Sequence, residues 1–309
     1  MNRGRAGRLI NRVARPMRRA ASRAHPVVLA ERLELDSRAD LRIREITAVV
    51  KRVLPRGAVR NTLHGVPLGH PAHAPLTDLP IGAYSSAVLL DFLPGTQRAS
   101  KALIFAGLAA SAPTAVTGWA DWSALHREQQ RVGLAHAATQ GAASVLFGAS
   151  LLARVRGRTA TGKILSLAGL GTLAAGAYLG GHLAFRMAAG ANHAPSAAHL
   201  VPLGWHDLCA LDELPDGWPV HRALGYIDLF VLRQGDRVHV LADACAHLAG
   251  PLHQGRITAV DGQTCVMCPW HGSVFRVTDG SVVDGPATAR QTAFDTRVEE
   301  DGRVQVRPI

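Results

Sequence analysis

Between about residues 72 and 186 the chain carries four runs built almost wholly from Ala, Leu, Gly and Val, at about 75–93, 102–122, 132–153 and 164–185. Each is roughly twenty residues long, the length a helix needs to cross the hydrocarbon core of a bilayer. None shows the polar face of a surface helix in a soluble protein. The loops between them, 94–101, 123–131 and 154–163, are short and polar. The pattern predicts a four-helix transmembrane bundle over 61–190, with the lipid bilayer as its partner. Trp119 and Trp122 close the second run, where aromatic residues mark a membrane boundary. Gly176 and Gly180, like Ala106 and Ala110, are spaced to let lipid-embedded helices approach closely. Pro113 is expected to kink the second helix, which bundle neighbours accommodate.

Charge divides the rest. The formal net charge is +11, and arginines crowd residues 1–60. This basic arm reads either as a solvated tail or as a segment drawn to anionic lipid head groups. No nucleic-acid partner is expected. Arg18-Arg19 is followed only by the short apolar run 27–30, too short for an export signal. Residues 191–200 read as a linker. From residue 201 to 309 the grammar changes to short β-rich runs, at 228–232, 238–241, 264–267 and 274–277. Gly235-Asp236, Asp261-Gly262 and Asp279-Gly280 mark hairpin turns. The expected fold class is therefore a multidomain membrane protein, an all-α bundle followed by an all-β domain.

The β domain holds two Cys/His pairs, Cys245-Ala-His247 and Cys268-Pro-Trp-His271, with twenty residues between them. Two thiolates and two imidazoles on two loops are the donor set of a [2Fe-2S] centre with mixed ligation. Zinc fingers space the same donors differently and usually place the histidines on a helix. Of the other cysteines, Cys209 and Cys265, the latter reads as an ordinary strand residue. The runs 245–252 and 268–275, Gly285-Pro286-Ala287, and the opening from Trp205 to Pro215 resemble the Rieske family. That resemblance implies cluster ligation by Cys245, His247, Cys268 and His271, a hydrogen bond to the cluster from Ser273, and a covering loop at Pro286. It also implies what is missing. High-potential members bridge the loops with a disulfide, but Gly250 (or Ala249) and Trp270 stand at those positions. They also carry a tyrosine hydroxyl where this chain has Phe275. Fewer donors to the cluster imply a low potential and a closer likeness to oxygenase ferredoxins than to quinol oxidase subunits. The imidazole edges of His247 and His271 are expected to be exposed as the electron port.

The membrane part concentrates its histidines. With four antiparallel spans, His70, His73, Asp78, Asp121, His126, His136 and His182 fall on one face, the face from which the β domain leaves. Ionisable groups in spans are functional by default, and facing helices can hold haem or a metal. His136 and His182 match in depth and are the first candidates for the axial ligands of a haem b, with His73 and His70 as alternates. The competing reading is that interfacial histidines reach head groups and water. Span one also resembles an uncharacterised family of bacterial four-helix membrane domains, through His70-Pro71-x-His73, Asp78-x-Pro80-x-Gly82, Thr117-Gly118-x-x-Asp121-Trp122 and Gly180-Gly181-His182. Basic residues near the membrane balance, six (52, 56, 60, 127, 131, 186) against six (98, 101, 154, 156, 158, 163). The basic arm tips the β domain towards the cytoplasmic side of a bacterial inner membrane.

These features together predict a membrane-bound one-electron carrier that exchanges electrons with an unidentified reductase or oxygenase. A ferredoxin component of an oxygenase system and a membrane-tethered redox sensor are the alternatives. An oxygenase in its own right needs a mononuclear iron site of two histidines and a carboxylate, and no histidine follows His271.

Overall fold

The computed structural model describes residues 26–194, 196 and 200–308. Helices fill the N-terminal part: α1 Pro26–Leu35, α2 Asp40–Val53, α3 Ala58–His64, α4 His73–Leu90, α5 Gln97–Trp122, α6 Arg127–Val155 and α7 Thr159–Gly181, which ends in a π-helical turn at His182–Arg186. The last four correspond to the four apolar runs. Two of them, Gln97–Trp122 and α7 with its π turn, are long and apolar enough by length and composition to cross a membrane. The expectation of four helices is thus revised to seven among the described residues. The basic arm is also revised. From residue 26 onwards it folds into α1, α2 and α3, and only residues 1–25 lie outside the described part. Arg131 of α6 explains the docking, since it grips Asp40 through two bonds of 2.8 Å and donates to the Glu34 carbonyl at 2.7 Å. Behind it, Ala30 and Ile43 are fully buried.

The four long helices form a closed ring in which α4 touches α5 and α7, and α6 touches the same two. Tyr84 and Phe147 stack across its centre with ring centroids 3.9 Å apart. At the end remote from the β domain, Arg154 makes two bonds to Asp91, of 2.8 and 2.5 Å, and both side chains are buried. Ser100 adds a bond of 2.9 Å to the same carboxylate, and the Lys163 ammonium caps the Asp91 carbonyl. The outer face carries exposed apolar side chains, among them Leu79, Phe105, Val116, Val145, Ile164 and Leu167. An apolar belt of this kind requires a cover.

The C-terminal domain is all β. A six-stranded antiparallel sheet has the order β1-β10-β9-β4-β3-β2, from β1 His206–Ala210, β2 Pro219–Leu224, β3 Ile227–Gln234, β4 Arg237–Ala242, β9 Ala293–Val298 and β10 Arg303–Pro308. A second sheet runs β5-β6-β7-β8, from β5 Arg256–Val260, β6 Gln263–Met267, β7 Val274–Arg276 and β8 Val282–Asp284. Alternation puts Leu229, Val231, Val238 and Val240 into one core and Phe230, Leu232 and Leu241 into another, shared with Cys245, Cys268 and Phe275. The four short runs read from the sequence correspond to β3, β4, β6 and β7.

Candidate metal centre and the face that covers it

The two Cys/His loops follow β4 and β6 and close in the same way. In the first, the Cys245 amide donates to the Gly250 carbonyl at 2.9 Å and the Ala249 amide to the Cys245 carbonyl at 2.8 Å. In the second, the Cys268 amide donates to Ser273 at 2.8 Å and the Gly272 amide to Cys268 at 3.1 Å. The residue four after each cysteine is left-handed: Ala249 at φ 58° and Gly272 at φ 78°. Each loop thus curls around its cysteine and aims the following amides inward. Buried Gln291 pins the first loop, accepting from the Ala246 amide at 2.9 Å and donating to the Ala242 and Ala244 carbonyls at 2.6 Å.

The donor set fits a cluster. The His247 and His271 ring centroids lie 5.1 Å apart. Two imidazoles on one tetrahedral metal, each with its nitrogen about 2.0–2.1 Å from the metal, place their ring centres about 5 Å apart. His247 Nδ1 is buried with no hydrogen-bond partner, a costly state that a metal bond relieves. A Cβ on Gly250 would sit 2.9 Å from Cys268 Sγ and 3.1 Å from the Trp270 ring. Glycine therefore fills the place where a cross-loop disulfide would lie. Burial pushes His247 down to about 2 and His271 down to about 4, with His126 and Lys51 also opposing protonation of the latter. Both imidazoles are thus neutral, as metal binding requires. The hydrogen bond from Cys245, with the loop amides of Trp270, His271 and Gly272, holds the Cys268 thiol at about 7, and Cys245 is pushed up in return. Ser273 is buried and accepts from the Ala287 amide at 2.9 Å, which leaves its hydroxyl hydrogen to donate. Pro286 lines a cavity of about 40 Å³ with His247, Ala287 and Asp121.

The imidazole edges are not open to solvent on all sides, contrary to the sequence expectation, because the helical domain covers them. The His126 ring, at the start of α6, lies 5.1 Å from His271 and 5.3 Å from Trp270. Arg56 donates to the Gly272 carbonyl at 3.1 Å, and Asn61 accepts from the Gly285 amide at 2.9 Å. The His193 amide donates to Ala246 at 2.9 Å. Behind this seam, fully buried His64 meets Asp121 at 2.7 Å and accepts from Arg60 at 3.2 Å. Sequence reading gave none of Arg56, Asn61, His64, His193 or Gln291 a role at the centre, and placed His126 on the right face without its contact. The contacts that bring them to the centre span more than forty residues of sequence, and no local motif reports such pairings.

The membrane histidines separate. His70 is exposed and lies 3.3 Å from the Pro71 carbonyl. His182 is engaged by Glu34 of α1 at 2.6 Å. His136 instead faces His73, with ring centroids 6.4 Å apart. Asp78 is exposed on α4.

A β domain with two Cys/His loops closed around a shared centre defines an iron–sulfur electron-transfer module. Residues 204–298 match the family described as Rieske [2Fe-2S] domain, and residues 69–193 the family described as predicted membrane protein (DUF2231). Through its C-terminal domain the chain belongs to the Rieske [2Fe-2S] family. The anthranilate 1,2-dioxygenase ferredoxin subunit of Burkholderia cepacia is 32% identical over 102 residues, 33% of this chain and 90% of that protein. Human apoptosis-inducing factor 3 is 27% identical over 100 residues, 32% of this chain and 16% of that protein. Among solved structures, the ferredoxin of carbazole 1,9a-dioxygenase from Nocardioides aromaticivorans IC177 is 26% identical with a TM-score of 0.31, covering 34% of this chain and 98% of that one.

Proposed function

We propose that this protein is a membrane-anchored one-electron carrier whose Rieske centre exchanges electrons through the helical domain it is docked on. The observation that carries the reading is the His126 ring, 5.1 Å from His271, at the mouth of the bundle. A [2Fe-2S] cluster held by Cys245, Cys268, His247 and His271 supplies one-electron chemistry confined to the histidine-bound iron. The chain's own residues set the conditions. Ser273 offers a hydroxyl to the centre, and Pro286 and Ala287 cover it. Phe275 contributes no donor, which favours a low potential. Arg56 and Asn61 hold the loops against α3.

The exposed apolar belt and the match to a predicted membrane family support insertion in a bilayer, with the bundle crossing it more than once. The arginine-rich segment that precedes α4 leaves from the same face as the Rieske domain, and favours a cytoplasmic Rieske domain in a bacterial inner membrane. In this reading the electron partner inside the bundle is a haem b. A second reading, the ferredoxin component of an oxygenase or reductase system, is favoured by the coverage of the Burkholderia ferredoxin subunit. Trp270, 51% exposed at the rim of the centre, would be the contact for a protein partner there.

The test is an anaerobic preparation of the full chain from membranes washed at alkaline pH. A reduced-state Rieske EPR signal in the washed membrane fraction is expected. Zinc in place of iron, or complete release by the wash, overturns the proposal.

A further inference from the structure

The bundle is an internal repeat, although its two halves share little sequence. The hairpins α4–α5 and α6–α7 carry matched contacts. In the first helices His73, Tyr84 and Asp91 stand sixty-three residues before His136, Phe147 and Arg154. In the second helices Gly107 and Gly118 stand sixty-two residues before Gly169 and Gly180. A Cβ on Gly107 would lie 2.6 Å from Tyr84, and one on Gly169 would lie 3.0 Å from Phe147. One on Gly118 would lie 2.8 Å from His73 Cε1, and one on Gly180 would lie 3.1 Å from His136 Cε1. Each imidazole therefore rests in a notch on its hairpin partner. Each Nδ1 is fixed to a main-chain carbonyl four residues before that glycine, Thr114 at 2.9 Å and Gly176 at 2.8 Å.

Three pairs consequently meet across one pseudo-two-fold axis. The central pair is stacked and the far pair is an ion pair. The pair nearest the Rieske centre is not joined. Its rings are perpendicular, at 89°, with centroids 6.4 Å apart. Neither Nε2 has a hydrogen-bond partner among the described residues, and an Nδ1 that donates to a carbonyl leaves the Nε2 lone pair free, the arrangement of metal-ligating histidines. With metal–nitrogen bonds of about 2.0–2.1 Å and ring centres about 1.1 Å beyond, two imidazoles on opposite sides of one metal stand about 6.3 Å apart. Two imidazoles alone leave a bare ion short of donors. A porphyrin supplies four of its own.

We propose that His73 and His136 are the two axial ligands of a b-type haem on the pseudo-two-fold axis of the bundle, with His182 outside the site. This deepens the reading in which the bundle shares the electron circuit, and rests on it only for the purpose of the haem.

The experiment uses the full chain, expressed with a haem precursor and purified in detergent, with pyridine haemochrome assay, haem EPR and cluster EPR on each sample. The wild type is expected to hold about one low-spin haem per chain, with the anisotropic signal of perpendicular imidazoles. His73→Ala and His136→Ala should each abolish the low-spin signal, whereas His182→Ala should keep it. His136→Met, which retains an axial donor, should keep haem and raise its midpoint. The cluster signal should persist in all four. A wild type with a full cluster signal and no haem overturns the proposal, as does low-spin haem that survives loss of both His73 and His136. Stoichiometric copper, zinc or non-haem iron lost in these variants overturns the haem assignment. Loss of the cluster signal in the wild type would instead strike the electron-carrier reading, so the two failures are separable.

Discussion

Removing the hooks that hold the Rieske loops against the helical domain should open the centre without emptying it. Arg56 and Asn61 are the hooks to remove. The Arg56 bond to the Gly272 carbonyl, 3.1 Å, has a charged donor, and such bonds contribute about 1.5–3 kcal/mol. The Arg56 side chain is 45% exposed, so the low end applies. Its contact with Asp284 at 3.9 Å is a surface ion pair and adds at most about 1 kcal/mol. The Asn61 bond to the Gly285 amide, 2.9 Å, adds about 0.5–1.5 kcal/mol. Arg56→Ala with Asn61→Ala should therefore weaken docking by about 2–4 kcal/mol, a factor of roughly 30 to 1000 in the docking equilibrium. Hydrogen exchange reads this at the Gly272 and Gly285 amides. Stopped-flow oxidation of the reduced cluster by a soluble protein acceptor reads it at the centre. Both rates should rise, while cluster EPR intensity stays constant and exposed Arg44→Ala changes neither. Unchanged exchange and oxidation in the double variant, with the cluster fully loaded, would refute the view that this seam controls access.

The cluster midpoint should lie near about −150 mV, the low end of the Rieske range; EPR-monitored titration should show Ser273→Ala lowering it and Phe275→Tyr raising it, and a wild-type value near the top of the range rejects the hydrogen-bond argument. In metal-free protein His247 has a folded pKa far below its unfolded value, so the unfolded state takes up the proton first and stability falls as pH drops below about 6.5. Between pH 8 and pH 5 that histidine alone should cost about 2 kcal/mol; urea midpoints of the chelated protein that do not fall on acidification would contradict this. Arg154→Met strands buried Asp91 and should cost about 3–5 kcal/mol, whereas adding Asp91→Leu should recover most of it; thermal unfolding in detergent followed by helical circular dichroism distinguishes the two outcomes.

What could be read from the sequence was whatever local chemistry writes into short stretches. The loop cysteines and histidines, the turn dipeptides and the apolar runs all act within a few residues, and the β runs at 228–232 and 264–267 fell within observed strands. The folded part of the basic arm was hidden because its helices are fixed by distant partners. Arg131 anchors Asp40, and Glu34 and Glu31 answer His182 and Arg186. Depth along a span correctly set His136 and His182 at one end of the bundle, but depth does not give azimuth. Azimuth decides which imidazole faces the axis, and it is set by the glycine notches on the neighbouring helix.

The same azimuth argument explains why the internal repeat is silent in the sequence and visible in the fold. Tyr84 and Phe147 are equivalent because each needs a flat ring on a glycine, not because their flanking residues agree. Asp91 and Arg154 are equivalent in place and opposite in charge, since two identical charges there would repel across the axis. Two carboxylates or two guanidiniums in the closed end of the bundle would be buried without a counter-charge, whereas Asp91 and Arg154 neutralise one another there. No such conflict exists at the mouth. Of the three pairs that meet across the axis, only His73 and His136 are the same residue in both halves.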